Sequence, residues 1–241
     1  MKPILFISDL HLSPERPDII QLFHKFLDEK QGQISDLYIL GDFVEYWLGD
    51  DDKAEGLSSV FDRLKTFSDN GHGIFLMHGN RDFLMGQDFA DRCGCTLIEE
   101  PFVLNSEKNR VLLMHGDVLC TDDTSYQMFR KMVRNKQWQK DFLSKSLEQR
   151  TSLAKAMREK SKQETKEKTE EIMDVNQQSV ENAFLDHNAQ IIIHGHTHRP
   201  GMHKLETSQH PATRIVLGDW YKKGSYLEFY NADNFTLKDF Y

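Results

Sequence analysis

Cysteine is scarce in this 241-residue chain: Cys93, Cys95 and Cys120 are the whole set. Three thiols cannot build a disulfide framework, and their spacing matches no thiolate zinc site. They are expected to be reduced thiols of a cytoplasmic protein. Cys93-Gly94-Cys95 leaves a redox reading open beside a buried structural one. Long apolar runs are missing too, none nearing the roughly 20 residues that span a bilayer. A strand-like Ile4-Leu5-Phe6-Ile7 begins almost at Met1, so no signal peptide is expected. The chain has no Gly-x-x-x-x-Gly-Lys-Ser/Thr loop and no Gly-x-Ser-x-Gly elbow. That removes P-loop phosphoryl transfer and serine-hydrolase chemistry.

Positive charge is also short, 30 Lys and Arg against 38 Asp and Glu for a net −8. It is unevenly spread, because Arg130 to Glu170 holds 13 basic against 6 acidic residues. An acidic body with one basic stretch is unlike a general nucleic-acid binder, so no nucleic-acid partner is expected. Carboxylates feeding a cation site, and a local basic surface meeting an anionic substrate or membrane, account for both halves.

What is present is a series of apolar runs with helical patterns between the early ones. Ile4 to Ile7, Leu37 to Leu40, Ile74 to Met77, Val111 to Met114, Ile191 to Ile193 and Ile215 to Leu217 read as strands. Ile19 to Leu27 and Leu57 to Phe67 read as helices, with stripes through Leu22, Phe23, Phe26, Leu27 and through Val60, Phe61, Leu64, Phe67. The pattern predicts an α/β sandwich with mixed sheets. Residues 124–178 break it, with no Gly, no Pro and scattered apolar groups from Tyr126 to Met157. They read as a helical insert projecting from a core of residues 1–123 and 179–241. One reading is a solvated helical hairpin that packs on itself. The other is a lid whose apolar face receives something greasy.

The chemistry lies in five strings that follow strand-like runs: Asp9-Leu10-His11, Gly41-Asp42, Gly79-Asn80-Arg81-Asp82, Met114-His115-Gly116-Asp117 and Gly195-His196-Thr197-His198. In extended backbone, residues i and i+2 share a side, so Asp9 with His11, and His196 with His198, can each grip a cation. Gly41 lets the chain turn sharply and bring the Asp42 carboxylate inward, where its two oxygens can bridge two metals. Asn80 and His115 add an oxygen and a nitrogen. Mixed O/N donors without thiolate favour Mn²⁺, Fe²⁺ or Zn²⁺. A metal pair ~3.5–4 Å apart activates a water for phosphoryl transfer with no side-chain nucleophile.

In order and spacing these strings resemble the calcineurin-like metallophosphoesterases. The resemblance implies a sandwich of two mixed β-sheets flanked by helices. It implies that Asp9, His11, Asp42 and His198 hold one metal and Asp42, Asn80, His115 and His196 the other, with Asp42, Asn80 and His115 catalytic. Many members have Asn-His-Asp/Glu at the third string; here Arg81 replaces the His. Arginine does not lose its proton near neutral pH but holds phosphate oxygens in a planar fork. The change points to a leaving group that needs little protonation, hence to pyrophosphate cleavage.

Longer strings narrow the match: Leu40 to Glu45, Gly49 to Asp52, His78 to Leu84, Leu119 to Asp123, Ile172 to Gln177 and His194 to Pro200. From Ile4 to about Trp220 the chain is similar to the UDP-2,3-diacylglucosamine hydrolases of lipid A synthesis. That similarity implies two Mn²⁺ per chain and a UDP-diacylglucosamine lipid cleaved to UMP and 2,3-diacylglucosamine 1-phosphate. It also implies a peripheral position on the cytoplasmic side of the bacterial inner membrane, with no obligate protein partner. The insert becomes a lid that houses acyl chains and turns its Lys and Arg to phosphates and head groups. Asn80, Arg81, Asp123, Ser161, Thr165, Lys168 and His196 become substrate contacts, although Thr165 stands where Asn is expected. His194 is expected to support the ligands rather than join them, and Gly218-Asp219-Trp220 to be a strand-end turn. The rival readings are another two-metal phosphoesterase and a non-enzymatic scaffold on the same fold.

Overall fold

The computed structural model describes residues 2–106, 109–169 and 172–241, without the side chains of 162 and 165–167. Its strands are β1 Ile4–Ile7, β2 Asp36–Leu40, β3 Gly73–Met77, β4 Thr96–Ile98, β5 Phe102–Ser106, β6 Asn109–Leu113, β7 Ile191–His194, β8 Gly201–Glu206, β9 Pro211–Val216, β10 Gly224–Asn231 and β11 Asn234–Phe240. Its α-helices are α1 Pro17–Lys30, α2 Ser58–Asp69, α3 Gln87–Cys93, α4 Thr124–Val133, α5 Lys136–Leu143, α6 Leu147–Glu167 and α7 Gln177–His187.

Two mixed sheets face each other, ordered β11-β10-β1-β2-β3-β4 and β5-β6-β7-β9-β8. Their central strands are parallel, β1 with β2 and β3 in one sheet and β6 with β7 and β9 in the other. Alternate residues of each strand face opposite layers. Phe6, Leu40, Val111, Leu113, Ile193 and Ile215 fill the space between the sheets. Leu5, Ile7, Leu37, Ile39 and Leu76 turn outward onto α1, α2 and α3. Leu112 and Ile192 pack on Val180 and Phe184 of α7. The order is therefore helix, sheet, sheet, helix, as the α/β sandwich reading expects.

The stripes explain the helices. Helix α1 starts with Pro17, whose missing N–H has no partner to lose at that position, and buries Ile19, Phe23, Phe26 and Leu27. Helix α2 buries Val60, Phe61, Leu64 and Phe67. The C-terminal residues do more than the sequence suggests. Strands β10 and β11 form a hairpin whose first strand pairs with β1, and Leu227 and Phe229 enter the space between the sheets.

The inserted helices depart from a projecting hairpin. Helices α4–α6 fold back on the body, α6 ends at Glu167 and α7 begins at Gln177. Trp138 and Phe142 of α5 stack and join the cluster under the first sheet. Arg150 of α6 is buried and donates to the Leu48 carbonyl at 2.6 Å and to the Asp51 carboxylate at 2.7 Å. Arg134 reaches the Gly79 carbonyl at 2.8 Å, and Arg158 pairs with Glu45. The arginines of the basic stretch therefore fasten the insert to the body, while Lys131, Lys136, Lys140, Lys145, Lys155 and Lys160 stay exposed as a cationic surface.

Candidate metal centre

The parallel strands of each sheet end on one side, and the loops that leave them meet there. Asp9 and His11 follow β1, Asp42 follows β2, Asn80 and Arg81 follow β3, His115 follows β6, and His196 and His198 follow β7. Shared sides arise differently from the strand alternation expected of them. Asp9, His11, Asp42, His196 and His198 all lie past the strand ends in left-handed backbone, with φ between 48° and 67°. Non-glycine residues rarely take that conformation, and such strain clusters at functional sites. Backbone bonds hold the turns, His11 N–H donating to the Asp42 carbonyl at 3.0 Å and Asp9 N–H to Gly41 at 3.1 Å. Gly79 is required by contact, since a Cβ there would lie 2.2 Å from the Asp42 amide nitrogen.

The donor atoms fall into two groups. Ligand atoms of Asp9, His11 and His198 converge to within 4.8 Å of one another, His198 Nε2 standing 3.3 Å from Asp9 Oδ1. Asp9, Asp42 and His115 form the second gathering of ligand atoms. Asn80 Oδ1 completes that side, 3.0 Å from His115 Nε2 and 2.9 Å from His196 Nδ1. Asp42 stands between the groups, Oδ2 lying 3.7 Å from His11 and Oδ1 3.8 Å from His115. The two oxygens of one buried carboxylate thus face two different nitrogen donors, the arrangement a bridging ligand requires.

Two observations test whether cations fit. Asp9 Oδ1 and His11 Nε2 are buried without a hydrogen-bond partner among the described residues. Orphaned polar atoms are costly, and metal ligation satisfies them. The protonation pattern agrees. Burial alone would lower the pKa of His115, yet Asp42, Asp117, Asp9 and Glu100 lift it to about 9. Burial raises the Asp42 carboxyl. This pocket demands positive charge, and mixed N/O donors suit a divalent cation in that role.

Neighbouring groups aim the ligands, and sequence reasoning gave several of them no role. Leu40 O lies 2.9 Å from His115 Nδ1, which directs Nε2 to the cluster. Glu45 stands 3.0 Å from His11 Nδ1, and Asp219 stands 3.5 Å from His198 Nδ1. Asp219 lies in the turn expected of it but also orients a ligand. Asp82 accepts from the amides of Phe43 and Gly79, both at 2.7 Å, locking two ligand loops together. Asp117 is buried under His115 and takes bonds from Tyr126 Oη and Arg130. Asp82, Asp117 and Glu45 lay inside strings already singled out. Glu100, which caps the His115 and Gly116 amides, lay in none. His194 turns away, sandwiched between the Gly195 carbonyl at 2.8 Å and Arg214 at 3.1 Å. Burial and the Arg214 charge push its pKa down to about 3, so it stays neutral.

The expected substrate residues are placed unevenly. Arg81 lines the mouth of the cluster, its Nε buried without a partner among the described residues. Asp123 caps α4 through the Tyr126 amide and accepts from Lys168 at 2.7 Å. Asp123, Ser161 and Lys168 line one cavity of about 540 Å³ together with Met128, Phe129 and Met157. The Thr165 side chain lies outside the described residues. A narrower apolar cavity of about 120 Å³ runs from Asn80 and Arg81 between Trp47, Phe83, Phe129 and Trp138.

The calcineurin-like phosphoesterase family matches residues 2–200 of the chain. A UDP-2,3-diacylglucosamine hydrolase of Marinobacter nauticus is 48% identical over 224 residues, covering 93% of this chain and 92% of that protein. The enzyme of that name from Stenotrophomonas maltophilia is 45% identical over 230 residues, covering 92% and 93%. That from Hahella chejuensis is 46% identical over 235 residues, covering 98% and 96%.

Proposed function

The chain belongs to the calcineurin-like phosphoesterases and, with these relatives, to the UDP-2,3-diacylglucosamine hydrolases, and from that premise we propose that it hydrolyses the pyrophosphate of UDP-2,3-diacylglucosamine in lipid A synthesis. The bond broken joins the α-phosphorus to the bridging oxygen. The water oxygen joins the α-phosphorus to give UMP, and the bridging oxygen leaves with 2,3-diacylglucosamine 1-phosphate.

Asp9, His11, Asp42 and His198 would hold one Mn²⁺, and Asp42, Asn80, His115 and His196 a second. Bound there, the pair supplies Lewis-acid polarisation of the phosphate and a lowered pKa for the attacking water. Glu45, Asp219 and the Leu40 carbonyl keep the imidazoles aimed. Arg81 holds diphosphate oxygens in its planar fork and gives up no proton, which a phosphate monoester leaving group does not need. Ser161, Thr165 and Lys168 take the sugar phosphate, and the Asp123 carboxylate, paired with Lys168, accepts from sugar hydroxyls. The chain works as a peripheral protein at the cytoplasmic face of the inner membrane, without an obligate protein partner. Among the described residues no helix is long and apolar enough to cross a membrane.

One observation carries the lipid half of this reading: the apolar cavity opens at Asn80 and Arg81, so a greasy chain in it is tethered where the phosphates react. Burying acyl methylenes there stabilises the complex by ~0.8 kcal/mol each. The test is UMP release from UDP-2,3-diacylglucosamine, measured with Mn²⁺ and after chelation. Strong Mn²⁺-dependent release is expected. Absence of release, with turnover of a generic phosphodiester, would refute the lipid assignment.

A further inference from the structure

A second cavity, of about 640 Å³, lies on the other side of Arg81. Its volume is in the range of roughly 300–1,000 Å³ usual for small-molecule sites. It differs from the apolar cavity in chemistry. Ser13, Glu15, Arg16, Lys155 and the rings of Tyr46 and Tyr221 line it, and His11 stands at its inner end. The two cavities share Glu45, Tyr46, Arg81 and Arg158 along their common border. Glu45 and Arg158 are paired there, and the Arg158 guanidinium lies 5.6 Å over the Tyr46 ring. Tyr221 already stacks on His11, ring centres 5.4 Å apart and planes within 8°.

On the reading that the substrate is a UDP-linked lipid, its ends differ as the two cavities do. We infer that the cavity bordered by Tyr46, Tyr221 and Glu15 is the nucleoside subsite, so that the substrate lies across Arg81 with its base on one side and its acyl chains on the other. A pyrimidine ring offers a flat face for stacking and an imide N–H between two carbonyls. Tyr46 and Tyr221 supply aromatic surface, and both stay more than 40% exposed in the free protein. Glu15 and Ser13 supply an acceptor and a hydroxyl, and Lys155 and Arg16 supply positive charge. Beyond the shared border the other cavity is lined mainly by Trp47, Phe83, Leu84, Phe129, Trp138 and Phe142, and Glu15, Arg16, Lys155 and Tyr221 belong to this side alone. The Arg158–Glu45 pair stands between the two subsites and separates the polar half of the ligand from the greasy one.

The test is UMP binding to the Mn²⁺-loaded full chain by titration calorimetry, beside inhibition of turnover by 2,3-diacylglucosamine 1-phosphate. Tyr46→Ala is expected to weaken UMP binding by about tenfold, the scale of one lost base–aromatic stack. Tyr46→Phe is expected to restore it. Thr151→Trp, which fills the same cavity from α6, is expected to block UMP equally. Inorganic phosphate binding and inhibition by the lipid product are expected to stay unchanged in Thr151→Trp, because Thr151 lines this cavity and not the apolar one. Unchanged UMP binding in both Tyr46→Ala and Thr151→Trp would overturn the assignment. So would an equal loss for inorganic phosphate, which marks a phosphate site, or a loss confined to the lipid product, which gives the cavity to an acyl chain. A wild-type chain whose UMP binding depends on Tyr46 but which releases no UMP from the lipid would sink the reaction and leave the subsite standing.

Discussion

Five of the seven candidate ligands sit in left-handed backbone just past a strand, whereas the helices above them are held down by long side chains. The metal cluster is built from main-chain turns cross-linked by Asp82, Gly79 and backbone amides. Few of its atoms can move without breaking a buried bond. The inserted helices leave Met128, Met132 and Leu153 in solvent and rest on Arg130, Arg134, Arg150 and Arg158. They are held by these charged contacts together with Trp138, Phe142 and Ala154, which pack on the cluster under the first sheet. The difference teaches that reaction and substrate choice reside in parts of unequal rigidity. On the proposed function, the cluster would carry the chemistry and the insert would receive the acyl chains.

That division is broken most severely at the cluster. Asp42→Ala removes the carboxylate that faces both His11 and His115. Turnover is expected to fall by about 10³-fold or more, the several kcal/mol that a metal pair supplies, with metal content below that of the wild type by elemental analysis. Near-normal activity would end the two-metal assignment. Arg150→Ala attacks the other region. Losing its bonds to Leu48 and Asp51 is expected to cost about 1.5–3 kcal/mol, read as faster hydrogen exchange in α6 while exchange in β1 and β7 stays slow. Uniform acceleration would show that insert and body unfold as one unit.

Smaller effects sharpen the contrast. Phe129→Ala is expected to raise KM for the lipid substrate about tenfold, the equivalent of ~1.4 kcal/mol, and to leave metal content unchanged. The cysteines are expected to stay inert. Burial pushes the thiols of Cys95 and Cys120 up to about 12, and that of Cys93 upward as well. At pH 8 the folded protein should therefore resist iodoacetamide and become alkylated only after unfolding. By linkage, these groups keep protons in the fold that the unfolded chain loses above roughly pH 8.5, so stability falls as pH rises beyond that value. Rapid modification of native protein would refute the redox-inert reading.

The ligand strings were legible because each combines a chemically unusual residue with a strand end. The central strands and α1 and α2 were legible because their apolar periods are regular. The reason Asp9 and His11 share a side was not legible, since paired left-handed turns leave no mark unless glycine occupies them. The hairpin of β10 and β11 does carry a strand signal, since Leu227-Glu228-Phe229 and Phe235-Thr236-Leu237-Lys238 alternate, the apolar members facing the space between the sheets while Glu228 and Lys238 pair outside it at 2.7 Å. The insert misled most. Its basic composition suggests a cationic surface, which the exposed lysines form, but charge on a helix does not reveal that the arginines turn to carbonyls and carboxylates of the body. Arg150, the residue that pins α6, reads as one more surface cation until Leu48 and Asp51 are seen beside it.

The most direct test of a rigid metal cluster serving an acyl-selective insert is the ratio of kcat/KM for UDP-2,3-diacylglucosamine to that for UDP-N-acetylglucosamine, on the same Mn²⁺-loaded protein. Both substrates present the same diphosphate and nucleotide, and only the first has chains for the apolar cavity. A preference of at least about 10³-fold for the lipid is predicted, the effect of burying only a few methylenes at ~0.8 kcal/mol each. Equal turnover of the two would contradict the account, because the helices above the cluster would then contribute nothing to the choice of substrate.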